Sequence, residues 1–207
     1  LEAVLLAAVN ALPLPLLFWF FGKQLRQFYH SSEFAHGLGQ GLGAVTLTLF
    51  MLLFFLQLAR PQGFFERHLQ WSIAGLRIVH RHFWWFIPIY LLAMFFVASS
   101  NAFSQEFGNT TVEQVAFITL SIALSLLFLR ITNPDGKVTQ PVYARWPNGW
   151  FFRLRYVWYV FLVGSPLVFA VIAGMGYLYT AQHFLERFIW TVWMFLGALI
   201  FYYIGRR

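Results

Sequence analysis

Two long apolar runs occupy the C-terminal quarter of the chain: residues 157–179 read VWYVFLVGSPLVFAVIAGMGYLY and residues 188–204 read FIWTVWMFLGALIFYYI. Between them stands a polar stretch, TAQHFLER, at 180–187. An α-helix rises about 1.5 Å per residue, so roughly 20 apolar residues cross a hydrocarbon core of about 30 Å. The two runs therefore predict two membrane-spanning helices joined by a short polar turn, which is an antiparallel hairpin.

Four earlier apolar stretches repeat this pattern. They cover residues 1–22, 37–59, 83–102 and 113–129. With the C-terminal pair they predict an all-α fold, a polytopic transmembrane helix bundle of about six spans arranged as antiparallel hairpins. Asn10, Pro13 and Pro15 interrupt the first span. Because proline removes a backbone hydrogen bond, we expect a kink there that packs against other helices.

The composition excludes a soluble domain. Of the 207 residues, 60% are hydrophobic and only 10% are charged, whereas a soluble domain carries about 25% charged residues. The net charge of +7 does not indicate nucleic acid, because the basic residues flank apolar runs. Membrane phospholipids with anionic headgroups fit that distribution better. The absence of cysteine excludes disulfides and thiolate metal sites.

The Lys and Arg residues are distributed unequally between the two ends of the predicted spans. Four lie in residues 60–82, five in residues 130–155 and two at the C-terminal end, all on one side of the bundle, against three on the other. Loops rich in positive charge stay in the cytoplasm. We therefore expect both ends of this segment to be cytoplasmic.

Residues 64–82 have the pattern of an amphipathic helix, with apolar side chains on one face and polar or basic ones on the opposite face. We interpret them as an interfacial helix in the headgroup plane; the alternatives are a polar extension of the next span or a helix packed on protein. Tryptophan and arginine are typical of membrane interfaces. The candidate lipid and interface contacts are Arg60, Arg67, Arg77, Arg81, Trp84, Trp85, Arg145, Trp146, Trp150, Arg153 and Arg155.

Glycine and proline mark candidate sites of close helix packing or bending. Gly37 and Gly41, like Gly39 and Gly43, are four residues apart, a spacing that lets two helix backbones approach closely. Loose glycines at a helix end are the alternative. Prolines and further glycines supply bends. The candidate packing or hinge residues are Gly37, Gly41, Pro88, Pro166, Gly174 and Gly176.

The sequence contains little that could perform chemistry. Its seven carboxylates fall almost entirely in loops or at span ends, whereas proton-coupled transporters and intramembrane enzymes keep an ionisable group inside the bundle. We find no nucleophile beside a base and no metal-ligating cluster, and expect no catalysis, no cofactor and no bound metal. We expect the polar residues within the spans to bond to their own helices: Asn10, Thr46, Thr48, Thr119, Ser121, Ser125 and Ser165.

Part of the terminal hairpin resembles a known family. Residues 174–181, GMGYLYTA, followed by FLERF at 184–188, are similar to a segment of the large bacterial mechanosensitive channels of the MscS superfamily, of the MscK/MscM type. Residues 66–71, ERHLQW, resemble the family's His-Phe-Arg-Trp element, from which Leu69 and Gln70 depart. The similarity runs from about residue 66 to the C-terminus.

The resemblance implies a fold and a function. Channels of this family are heptamers in the inner membrane of Gram-negative bacteria, and their pore is lined by the last of eleven spans. This segment would be the membrane region preceding the pore domain, a piece of a longer polypeptide. Its helices would contact lipid and couple bilayer tension to opening on hypoosmotic shock. The alternatives are the helical core of a membrane transporter or lipid-handling enzyme, and a purely structural anchor subunit.

Overall fold

The computed structural model describes residues 2–28, 33–60, 65, 72–107, 110–134, 136, 138–139 and 153–205. Regular structure within these ranges is entirely α-helical, which confirms the predicted all-α class. The helices are α1 Glu2–Ala11, α2 Pro13–Phe28, α3 Glu33–Leu58, α4 Ile73–Phe107, α5 Thr110–Ile131, α6 Arg155–Gly174 and α7 Leu178–Gly205.

Helices α1 and α2 form one bent unit. α1 ends at Ala11 and α2 begins at Pro13, with a bend of 40° between them. Proline suits the first position of a helix, because the amide missing there would have no intrahelical partner. The Leu16 amide donates to the Leu12 carbonyl oxygen at 3.0 Å across the join. The predicted kink in the first span is therefore present.

α4 is one continuous helix of 35 residues. It combines the second half of the predicted interfacial helix, the predicted third span and most of the polar connection expected after that span. The apolar face of the amphipathic region is largely covered by protein: Phe65, Leu76, Val79 and Phe83 are at most 7% exposed, although Ile73 is exposed. The described part of this region is therefore the beginning of α4, and its placement in the headgroup plane stays a prediction. Residues 66–71 lie outside the described residues.

The turn of the C-terminal hairpin lies earlier than predicted. α6 ends at Gly174 and α7 begins at Leu178. Residues 180–187, predicted as the polar turn, therefore form the first turns of α7. Hydropathy misplaced the turn because Met175 and Tyr177 continue the apolar run without a charged residue.

Backbone geometry explains why α6 stops at this point. Gly176 has a φ of +95°, a conformation that glycine adopts at no steric cost. The amides of Gly176 and Tyr177 donate to the carbonyl oxygens of Ala173 at 3.0 Å and Ile172 at 3.2 Å. These two bonds are the Schellman arrangement, which satisfies the last carbonyls of a helix and reverses the chain.

From α2 onwards each helix packs mainly against its neighbours in sequence: α2 against α3, α3 against α4, α4 against α5, α5 against α6, and α6 against α7. α1 packs mainly against α3. Aromatic rings add a contact between α3, α4 and α7. The Phe55 ring centroid lies 5.1 Å from that of Phe83 and 6.4 Å from that of Trp193. α7 is thereby held against the end of α3 as well as against α6.

The described helices include four that are long and apolar enough to cross a bilayer, namely Phe34–Leu58, Ile73–Ser100, Thr111–Ile131 and Arg155–Gly174. The bent α1–α2 pair would be a fifth span. The predicted sixth span, 188–204, is helical within α7, and the side chains of 199–200 and 202–205 lie outside the described ones. The architecture is a polytopic helical bundle, as predicted.

Candidate functional site

Apolar side chains cover the outside of the bundle. Leu6 and Phe21 on the first bent unit, and Val160, Val171 and Met194 on the terminal hairpin, are each at least 57% exposed. An apolar surface of this extent marks contact with a membrane or a partner. The α6–α7 hairpin is the more peripheral part: 11% of the α6 span is buried within the protein, against 44% of the α5 span.

The predicted interface residues fall into three groups. Arg60, Arg77, Arg81, Trp84 and Arg153 are exposed, and Trp84 is 81% exposed. Two others have partners within the protein, as the next paragraph describes. The remainder of the candidates, Arg67, Arg145, Trp146 and Trp150, lie outside the described residues.

Trp85 and Arg155 are half-buried and have partners in the protein. The Trp85 Nε1–H donates to Nδ1 of His82 at 3.2 Å, so that the nitrogen Nδ1 is an acceptor. The Arg155 guanidinium lies 4.9 Å from the centroid of the Tyr156 ring, within the range of a cation–π interaction. Both side chains are thus oriented by a neighbour on their own helix.

One glycine face of α3 lies against α2. A Cβ atom added at Gly39 would lie 2.9 Å from the Gly22 carbonyl oxygen and 2.7 Å from Cγ of Arg26. A Cβ atom added at Gly22 would in turn lie 3.1 Å from the Gly39 carbonyl oxygen. The two backbones are in direct contact at this crossing, which requires glycine on both helices.

A second glycine face of α3 lies against α4. A Cβ atom added at Gly41 would overlap Oγ of Ser99 and lie 2.9 Å from the Phe95 ring. Gly37, one turn earlier, is also buried. The structure therefore places the predicted pair Gly37 and Gly41 inside the protein and uses Gly41 at a close helix contact.

The remaining candidate hinge residues have different surroundings. Pro88 is exposed within α4, and Pro166 is buried within α6. Nothing lies within 4 Å of a Cβ atom added at Gly174 or Gly176. Gly174 is the last residue of α6 and Gly176 lies in the turn that follows, and neither takes part in close helix packing.

Two glutamine side chains join the terminal hairpin to α5. Nε2 of Gln182, in the first turns of α7, donates to Oε1 of Glu113 at 2.6 Å. Nε2 of Gln114 donates to the Ala173 carbonyl oxygen at 2.6 Å, at the end of α6. Glu113 is only 6% exposed. Because the Glu113 side chain is almost completely buried, the hydrogen bond that it accepts is stronger than the same bond would be in water.

A third polar contact lies deeper in the bundle. Oγ of Ser125 on α5 donates to the Val163 carbonyl oxygen on α6 at 2.8 Å. We expected Ser125 to bond its own helix, as Thr119 and Ser165 do, with their hydroxyls on Val115 and Phe161. The prediction for Ser125 is therefore wrong, because only the neighbouring helix decides which carbonyl a serine hydroxyl reaches.

The start of α5 also matches a local pattern that would give Glu113 a different partner. Residues 110–114, TTVEQ, fit a capping box, in which a Glu or Gln side chain turns back to the first residue of its own helix. The structure instead directs Glu113 to Gln182. In the described part of the chain no group of three His, Asp or Glu side chains is close enough to hold a metal. The polar side chains that join helices here are Glu113, Gln114, Ser125 and Gln182.

Comparisons with known proteins point to one family. The family model described as mechanosensitive ion channel inner membrane domain 1 matches residues 1–207. The miniconductance mechanosensitive channel MscM of Escherichia coli (strain K12) is 26% identical over 201 residues, which cover 95% of this chain and 17% of that relative. The chain therefore spans less than a fifth of the relative's length. No solved structure matches it.

Proposed function

The chain belongs to the family of the mechanosensitive ion channel inner membrane domain 1, and from this membership we propose that its helices sense tension for a pore that lies elsewhere in the polypeptide. In this proposal the full-length channel lies in a bacterial inner membrane and opens on hypoosmotic shock. We further propose a homo-oligomer, a heptamer by resemblance to the family. Phospholipid is the proposed partner of the outer surface.

The observation that carries this proposal is the position of the α6–α7 hairpin. Of the four helices long and apolar enough to span a bilayer, α6 has the smallest buried share. Apolar residues such as Val160 and Val168 face outward from it. Tension favours whichever conformation occupies more membrane area. A hairpin that contacts lipid along most of its length and touches the bundle along one side is suited to move outward when the bilayer is stretched.

The same hairpin has discrete attachments to the inner helices. The bonds from Gln182 to Glu113 and from Gln114 to the Ala173 carbonyl hold it at the turn, and Ser125 holds α6 further along. Packed interfaces of this kind switch between alternative arrangements instead of deforming continuously. We propose that these contacts belong to the closed channel and set the tension at which the hairpin moves.

The direction of insertion is also part of the proposal. We place the loops after α3 and α5 in the cytoplasm, because these loops and the helix ends beside them carry most of the arginines and positively charged segments stay inside. The α6–α7 turn then lies on the periplasmic side. Both ends of this segment would be cytoplasmic.

A patch-clamp experiment on the full-length channel tests the proposal. Val160→Asn and Val168→Asn put an amide where acyl chains are expected to contact α6, and should raise the tension required for opening, because fewer apolar contacts transmit the pull of the bilayer. Thr180→Asn, at an exposed and already polar position, is the matched control. Thresholds equal to wild type in both valine variants would contradict a tension-sensing role for this hairpin.

No specific observation favours a transporter or a lipid-handling enzyme. Such a protein would need an ionisable group near the middle of the bilayer. The carboxylate side chains that the structure describes, Glu113 and Glu186, lie towards the beginnings of α5 and α7. Both are therefore near one end of the bundle.

A further inference from the structure

Positive side chains from two helices lie at the end of the bundle where α4 begins and α5 ends. Arg77, Arg81 and His82 lie in the first turns of α4, and Arg130 lies in the last turn of α5. Arg77, Arg81 and Arg130 are exposed, and His82 is half-buried. Arg77 and Arg81 are four residues apart on one helix, a spacing at which like charges repel.

Helix geometry brings Arg130 to this cluster. α4 ends at Phe107 and α5 begins at Thr110, and the two helices pack against each other as a hairpin. Arg130 stands 20 residues after the start of α5, so it lies level with residue 87, which stands 20 residues before the end of α4. His82 and Trp85 are within about one and a half turns of that level.

Aromatic side chains border the same cluster. Trp84 is 81% exposed, next to the half-buried Trp85. Because Trp85 donates to Nδ1 of His82, a neutral His82 ring carries its proton on Nε2, which is then available to an outside acceptor. Tryptophan is enriched at the level of lipid headgroups, so the cluster combines hydrogen-bond donors for an anion with an aromatic border typical of the interface.

No described carboxylate neutralises these charges. The carboxylate side chains in the described part of the chain are Glu113 and Glu186, and both lie towards the opposite end of the bundle. Nδ1 of His183 lies 3.8 Å from Oε2 of Glu186, far along the chain from this cluster. Cations from two helices without a described counter-charge favour an external anion.

We propose that Arg81, His82 and Arg130 form a site for the phosphodiester of an anionic phospholipid headgroup, with Trp84 against the lipid at the same level. Arginine offers a planar pair of N–H donors that matches two phosphate oxygens. A headgroup held by α4 and α5 together would fasten the two helices to each other at this end. The inference rests on the membrane placement proposed above and is independent of gating.

Lipid retention on the purified full-length channel tests the site. The detergent-solubilised protein is titrated with phosphatidylglycerol, and the lipids kept by each subunit are counted by native mass spectrometry. We expect Arg81→Gln and Arg130→Gln each to weaken retention roughly fivefold, the contribution of one arginine near an anionic surface. Arg187→Gln removes the same charge from an exposed position on α7 and should retain lipid as the wild type does.

Two further arms identify the ligand. Phosphatidylcholine, which has the phosphodiester without net charge, should bind more weakly than phosphatidylglycerol. Inorganic phosphate at matched concentration should displace no lipid; displacement would make a free anion the ligand and overturn the proposal. If the Arg81→Gln variant does not assemble, lipid retention by Arg130→Gln tests the proposal by itself. This variant changes an exposed side chain at a helix end and should therefore fold.

Two results would refute the site. One is equal retention by the wild type and both arginine variants, and the other is an equal loss in Arg187→Gln, which would reduce the effect to total charge. Retention is measured on protein under no tension. Its failure would therefore leave the proposed tension sensing untouched, and unchanged gating thresholds in the valine variants would leave the headgroup site untouched.

Discussion

Glu113 accepts a hydrogen bond from Nε2 of Gln182 at 2.6 Å, although 69 residues separate the two in sequence. The contact joins the first turn of α5 to the first turns of α7, and the carboxylate is almost completely buried. α6 lies between these two helices in the chain, so this bond helps to hold the terminal hairpin against the inner bundle.

Breaking this contact from one side should make the channel open at lower tension. Gln182→Leu leaves a buried carboxylate without its partner, which costs about 1–3 kcal/mol in the conformation that contains the bond. Thr191→Val is the matched control on α7, because the Thr191 hydroxyl bonds the Arg187 carbonyl of its own helix. The measurement is the opening pressure in excised patches relative to a reference channel.

A double variant separates the bond from simple loss of packing. In Glu113→Leu with Gln182→Leu both polar groups are gone, and removing both partners of a buried bond can be nearly neutral. We expect its threshold to lie closer to the wild type than that of Gln182→Leu alone. A double variant that opens at still lower tension would argue against the bond as the cause.

Substitution at the α2–α3 crossing should destabilise the protein. In Gly39→Ala the new methyl group would lie 2.9 Å from the Gly22 carbonyl oxygen, so the helices must separate, at a cost of about 1–3 kcal/mol. Gly197→Ala is the control with the opposite sign, because nothing lies within 4 Å of its added Cβ atom and alanine is preferred over glycine within a helix by about 0.5–1 kcal/mol. Thermal unfolding of the purified full-length protein, followed by fluorescence-detected size exclusion, measures both.

The turn after α6 offers a second matched pair. Gly176→Ala forces a side chain into the left-handed region, where φ is +95°, and should cost about 1–2 kcal/mol. Gly174→Ala, two residues earlier and still helical, should be neutral or stabilising. A lower melting temperature for Gly176→Ala alone is expected in the same thermal assay. Equal melting temperatures would contradict the assigned turn.

Orientation can be tested with single cysteines, because this segment has none. In a cysteine-free full-length background, Arg153→Cys should react with a membrane-impermeant maleimide in inverted vesicles, and Thr180→Cys in right-side-out vesicles. Both positions are exposed. Labelling of residue 153 from the periplasm would reverse the proposed topology.

Features that depend on a single local rule were predictable from the sequence. Proline favours the start of a helix or a kink, and α1 and α2 do separate at Pro13. Apolar runs of sufficient length predicted the spans, and helices occupy those positions. The Gly37–Gly43 series identified a helix that its neighbours can approach closely. The spacing alone did not predict that α2 would contact Gly39 and α4 would contact Gly41.

Features that depend on a partner distant in sequence were not predictable. A hydropathy profile cannot see that Gly176 reverses the chain within an apolar run, so the turn was placed several residues too late. Glu113 fitted a capping pattern at its own helix start, and nothing near it in sequence indicates Gln182. The choice of Ser125 between its own helix and α6 likewise depends on which carbonyl the packing brings close.

The length of α4 has a consequence for the kind of membrane that suits this protein. A continuous helix of 35 residues is roughly 52 Å long, whereas the hydrocarbon layer is about 30 Å thick. The helix must therefore tilt or extend beyond the hydrocarbon layer. If it tilts, its tilt angle increases as the layer becomes thinner. Short-chain lipids should therefore tilt this helix in the same direction as stretching of the bilayer does. Bilayer thickness would then affect the channel in addition to lateral tension.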